Sequence, residues 1–242
     1  MHVTARAMAH APRLDMFVEE RSACSVTSRA VSLLLAVAGA LKLPIVTKYF
    51  ALSLLCERTL PVLTADGAAS EAPALAPLTL ACVLVASKVH APLLRISQLR
   101  GAANAVAPGS SSKVSAVEVA NAELWLCTNV NISNSKLLIC RIEAMLSEIQ
   151  AKGASAGVQL TEVQLDCCCA ILDVLHESNG GILLAGGPGL ASAIILAAAM
   201  ISIHPSRRAA AAPWFAWLAS AADERLDDVQ RAAQSVLAIC LE

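Results

Sequence analysis

The segment Leu78 to His90, LTLACVLVASKVH, constrains the fold more than any other part of the 242-residue chain. Set on a helix it is apolar around nearly its whole circumference, so no long face of it can meet water and other helices must surround it. It predicts the centre of a helical bundle. Hydrophobic residues make up 57% of the chain and aromatics only 3%. The excess is Ala, Leu and Val, which pack closely spaced helices better than sheets, so the expected class is all-α. Chains of this length commonly bury about 70% of their unfolded surface, enough for one large domain or two small ones.

Further helices are expected on either side of this centre. Ser28 to Leu41, with Ser28 or Thr27 as N-cap, precedes Pro44, an early residue of a helix over Ile45 to Leu60. There Tyr49, Leu52 and Cys56 face inward and Lys48, Glu57 and Arg58 face solvent; Pro61 ends it. Val62 to Pro77, with Asp66-Gly67, has loop composition, and a fourth helix spans about Arg95 to Val106 before the Pro108 to Ser112 break. A fifth starts near Lys113, with Val114, Val117, Ala120, Leu124 and Cys127 as its apolar stripe.

A second group follows. Leu138, Ile142, Met145 and Ile149 share one helical face, and Thr161 with Gln164 reads as a capping box ahead of the stripe Leu160, Val163, Cys167, Ile171, Val174. Leu190 to Ile203 is again wholly apolar and so central. Ala209 to Ala222, with Trp214 and Trp217, reads as a short helix, and Asp223 as the N-cap of a last helix that turns Leu226, Val229, Ala233, Val236 and Cys240 inward. The organisation expected is a flexible segment over residues 1–26, a first helical domain over 27–132 and a second over 133–242.

Several chemistries are disfavoured. Eighteen basic and nineteen acidic residues leave a net charge of −1, without the basic excess by which most nucleic-acid binders gain affinity. Nine cysteines contain no CxxC pair and five histidines offer no zinc spacing, which predicts free thiols in a reducing compartment and neither metal nor cofactor. Met1 to Ser25 lacks the apolar stretch of a secretory signal, and its acidic residues disfavour a transit peptide. Asn131-Ile132-Ser133 matches the glycosylation sequon without a secretory context. A membrane span over Ser178 to His204 is a remote alternative: Gly180-Gly181 and Gly186-Gly187-Pro188-Gly189 interrupt it, leaving a helix shorter than the ~20 residues a bilayer needs.

Gly153 to Gly157 fits G-x-S-x-G, but a nucleophile elbow needs a strand before its Ser, and a helix is expected there. The Gly186 to Gly189 turn lacks the Lys-Ser/Thr of a phosphate loop. In Cys167-Cys168-Cys169 only Cys167 is expected on the apolar stripe, and packing is the reading. His90, His176 and His204 sit near helix ends, where a protonated imidazole suits the dipole. No catalytic residue emerges.

Particular residues resemble the cyclin family. Leu41-Lys42-Leu43-Pro44 ahead of ALSLLCER looks like the linker and second helix of a cyclin box. ACVLVASKV, Ala81 to Val89, is similar to the third-helix signature ending in Ala-Ser-Lys, and Glu123-Leu124-Trp125-Leu126 with Val130 and Ile132 looks like the fifth-helix pattern. Within the family, ASKVHAPLLRISQL, ELWLCTNVNI and AILDVLHES are most like the cyclin-N-terminal-domain-containing proteins of meiotic crossover formation.

The resemblance implies a five-helix cyclin box over 27–132, a second, degenerate cyclin-like domain over 133–242, and a nuclear regulatory or adaptor protein without catalysis. Its partners would be a cyclin-dependent kinase or crossover-complex proteins, with no direct contact to nucleic acid or membrane. It also implies that Lys88 and Glu123 meet at one surface to hydrogen-bond a kinase's regulatory helix and the segment before it. Departures from the pattern bear on kinase activation more than on fold: Val89-His90 stands where an acidic pair often follows the Lys, Ile132 replaces the usual Phe, and about six extra residues separate Lys88 from Glu123. Arg58 also lies one residue too far from Ala51. They leave a non-activating scaffold of meiotic recombination complexes as the alternative.

Overall fold

The computed structural model describes residues 24–64, 72–90, 93–106, 113–132, 137–155, 163–179 and 188–241. Outside them lie residues 1–23, Asp66-Gly67, the Pro108 to Ser112 break, Ser133, Gly157, Leu160, Thr161, Gly180-Gly181 and Gly186-Gly187. The described chain is all-helical: α1 (Cys24–Ala40), α2 (Ile45–Ser53), α3 (Leu60–Thr64), α4 (Leu75–His90), α5 (Ile96–Val106), α6 (Ala116–Asn129), α7 (Leu138–Ser155), α8 (Leu165–Asn179), α9 (Pro188–Ser202), α10 (Arg208–Ala221) and α11 (Leu226–Leu241). A π-helical segment, Leu54–Thr59, joins α2 to α3, and the 3₁₀ turn Pro205–Arg207 leads into α10.

Two helices form the centres of the packing. Every residue of α4 from Pro77 to Ser87 is buried, and α1, α2, α5 and α6 pack around it. Every residue of α9 from Ala191 to Ala199 is buried, with α7, α8, α10 and α11 around it. Small alanines along α9 let α11 approach closely, and α11 turns Val229, Ala233 and Val236 toward it. Each Leu, Ile or Val withdrawn from water in this way contributes about 1.5–3 kcal/mol. Side chains of both expected domains, 27–132 and 133–242, belong to one contiguous apolar cluster, and α1 lies against α8. Among the described residues no helix is long and apolar enough to cross a membrane; the 15 residues of α9 span about 22 Å.

Several helix ends differ from expectation, each for a local reason. The second helix continues through Pro61 to Thr64. The wider π turn moves the preceding carbonyls away from the pyrrolidine ring, which in an α-helix would collide with the carbonyl four residues back. The Thr59 hydroxyl donates to the Leu54 carbonyl at 2.7 Å inside this turn. Helix α1 begins at Cys24, ahead of the anticipated caps, and Ser28 donates its hydroxyl to the Glu177 carbonyl instead.

Asp223 is not the N-cap of α11. It sits at φ 58° and ends α10, with its own amide bonded to Ser220 and that of Glu224 to Ala219. A short polar side chain tolerates this left-handed position, and the paired amides satisfy two terminal carbonyls. Lys42 ends α1 in the same way at φ 50°, with its amide on Gly39 and that of Leu43 on Ala38. Because a lysine Cβ is strained there, Lys42→Gly should raise unfolding free energy by about 0.5–1 kcal/mol, read as a higher urea midpoint at unchanged slope.

Candidate functional site

Lys88 leaves the last turn of α4 just beyond Ser87, whose hydroxyl is tied back to the Leu84 carbonyl at 2.7 Å. Glu123 lies midway along α6, the helix packed beside α4. The start of α6 is set by a reciprocal cap: Glu118 N–H donates to Ser115 Oγ at 3.1 Å, and Ser115 N–H donates to Glu118 Oε2 at 2.6 Å. That second bond holds the Glu118 carboxyl below its ordinary range. With α6 so registered, Lys88 Nζ and Glu123 Oε1 form an ion pair between residues 35 positions apart. Their side chains remain 44% and 19% exposed. A partly exposed pair of this kind contributes only about 0–1 kcal/mol to folding.

The apolar surface beside the pair differs from expectation. Helix α6 buries Val119, Ala122 and Leu126, followed by Val130. Val117 and Leu124, expected inward, are 67% and 68% exposed, and Ala120 and Cys127 are exposed with them. Both residue sets recur at helical spacing, so periodicity alone does not say which one meets α4; Val114 at the helix entrance does pack on the core. Val89 is 47% exposed although it belongs to the central helix. His90 next to it turns edge-on to the Phe50 ring, with centroids 4.8 Å apart.

The π segment presents a third feature. Arg58 reaches from it to the Asn131 carbonyl just beyond α6, and Glu57 accepts from Ser53 at 2.8 Å. Neither side chain is simply solvated as expected. A π turn takes up one residue more than an α turn, so it accommodates the long spacing from Ala51 to Arg58 without breaking the helix.

A second polar cluster had no signal in the local sequence. Lys48 of α2 donates to both carboxylate oxygens of Asp173 on α8 at 2.9 Å, and these side chains are 17% and 35% exposed. The Tyr49 hydroxyl lies 2.9 Å from Asp173 Oδ1 and from the Cys169 carbonyl, donating toward this acceptor pair. Burial first, and Asp173 second, raise the Tyr49 phenol far above its ordinary value. His176, one turn beyond Asp173, was expected to interact as a cation with the helix end. It is instead 1% exposed, and burial lowers its pKa to about 4, so it is neutral at pH 7. His204 caps the 3₁₀ turn, accepting from the Ser206 amide through Nδ1.

In the cysteine run the inward residues are Cys168 and Cys169, and Cys167 is only half-buried. The helix starts after Gln164, whose carbonyl accepts from the Cys167 and Cys168 amides, and this phase turns the later pair inward. Burial pushes the Cys56, Cys82 and Cys168 thiols up to about 12, leaving them protonated and weakly nucleophilic. Among the described residues no three His, Cys, Asp or Glu side chains are grouped to hold a metal. Helix α7 runs through Gly153 to Ser155, where a nucleophile elbow would need a strand. No protein-family model matches the sequence, and no curated protein matches it.

Proposed function

We propose that the chain is a cyclin-like regulatory or adaptor protein of the nucleus, without catalysis of its own, which binds a cyclin-dependent kinase or meiotic recombination factors through the surface around Lys88 and Glu123. The carrying observation is that these two residues, singled out by resemblance alone, lie side by side between α4 and α6, with the Lys88 side chain 44% exposed and that of Glu123 19%. The exposed Val117 and Leu124 supply the apolar area that a bound amphipathic helix would cover. The π turn supports the same reading, since it accommodates the spacing by which the second helix departs from the cyclin pattern.

The reading is tested with a panel of purified cyclin-dependent kinases. Lys88→Ala and Glu123→Ala should each weaken binding by about 1–3 kcal/mol, and the double variant should abolish it. Helix content and melting temperature should stay nearly unchanged. A double variant that binds with full affinity would refute the site.

The scaffold reading draws on a different observation. Where an acidic pair often follows the Lys, Val89 is exposed and apolar, and His90 is committed to the Phe50 ring. Under that reading a kinase or crossover factor is bound through the same surface, but kinase activity in the assay does not rise.

A further inference from the structure

We propose that His176 is an acid-sensitive latch: protonating its buried imidazole breaks the polar contact that Lys48 and Tyr49 of α2 make with Asp173 of α8. Both ring nitrogens of His176 are buried without a hydrogen-bond partner. The neutral ring, beside that of Tyr49 with centroids 6.1 Å apart, occupies this site at the cost of one unpaired N–H and one unpaired lone pair but tolerates it because it carries no charge. An imidazolium would not, since it carries two N–H donors and a charge that both need partners.

Among the described residues the charged groups acting on the ring are Asp173 from its own helix and Lys48 from α2, and none from α1, α7, α9 or α11, the other helices packed on α8. Tyr49 of α2 and Cys169 of α8 complete the cluster. Asp173 is the carboxylate that acts on the ring, yet both its oxygens are already engaged by Lys48, and Oδ1 by Tyr49 as well. Once protonated, His176 must compete with Lys48 and Tyr49 for that carboxylate, and theirs are the side-chain bonds from α2 to Asp173 of α8.

The direction of the effect follows from burial, which lowers the imidazole from 6.5 to about 4; Lys48 lowers it further and Asp173 opposes. Between these values the unfolded chain binds more protons. The stability from the neutral ring is therefore complete above pH 6.5 and is lost as pH falls toward 4. Between pH 7.5 and 5 this group alone should raise the opening constant about 30-fold.

The test compares denaturant unfolding of the full chain and of His176→Phe at pH 7.5 and 5, with amide hydrogen exchange corrected for intrinsic rates. The opening constant of the wild type should rise about 30-fold more than that of the variant, and its exchange should accelerate first in α2 and α8. Equal pH dependence in the two chains would overturn the proposal. So would acceleration spread evenly over α9 and α11. If His176→Phe fails to fold, wild-type imidazole NMR decides together with the exchange data: a midpoint below 5 with early opening in α2 and α8 supports the latch, and a midpoint near 6.5 overturns it.

Discussion

Val85→Asp is expected to destabilise the chain by about 4 kcal/mol, near the top of the range for single substitutions. Val85 is buried on α4 with helices packed around it, so a carboxylate placed there is withdrawn from water. Measured against the roughly 5–15 kcal/mol by which domains are stable, the loss is a large fraction of the whole. The variant should reach the insoluble fraction on expression, and any soluble part should unfold at much lower urea. Val89→Asp, one turn further along the same helix, should change stability by no more than about 0.5 kcal/mol because Val89 is half exposed. Similar losses from both substitutions would mean that α4 is not packed as described.

The second large effect concerns the α2–α8 seam. Asp173→Ala leaves the Lys48 ammonium and the Tyr49 hydroxyl without their carboxylate. Breaking a fully buried pair costs about 3–5 kcal/mol and an exposed one about 0–1, and this half-exposed cluster should lie between, at about 2 kcal/mol. Adding Lys48→Met to Asp173→Ala should restore roughly half of that, because the uncompensated charge is then gone. A double-mutant cycle in chemical denaturation reads the coupling directly; a coupling of zero would show that the seam draws nothing from this contact.

What the sequence makes legible divides along a physical line. The wholly apolar runs of α4 and α9 announce central helices because there is no alternative way to cover them. The inward face of α6 is not announced, since Val117-Leu124 and Val119-Leu126 are both apolar and only the partner helix chooses between them. Lys48 reads as solvated for a related reason: its acceptor lies 125 positions away, beyond the reach of any local pattern. Proline punctuation fails at Pro61 because a π turn, which carries no sequence mark of its own, lets the helix pass the ring. The meeting of Lys88 and Glu123 came from the family resemblance, with no local signal for it, and the buried neutral state of His176 has none either, as a histidine near a helix end looks the same whether or not another helix covers it.

The long reach of the seam also bears on how the chain acquires its structure during synthesis. Lys48 is joined to the chain 125 residues before Asp173 exists. At the usual ~5–20 residues per second that interval is about 6–25 s. Throughout it, the side of α1 that ends against α8 and the polar groups of α2 that meet Asp173 stay uncovered, so apolar surface is exposed while the second half is still being made.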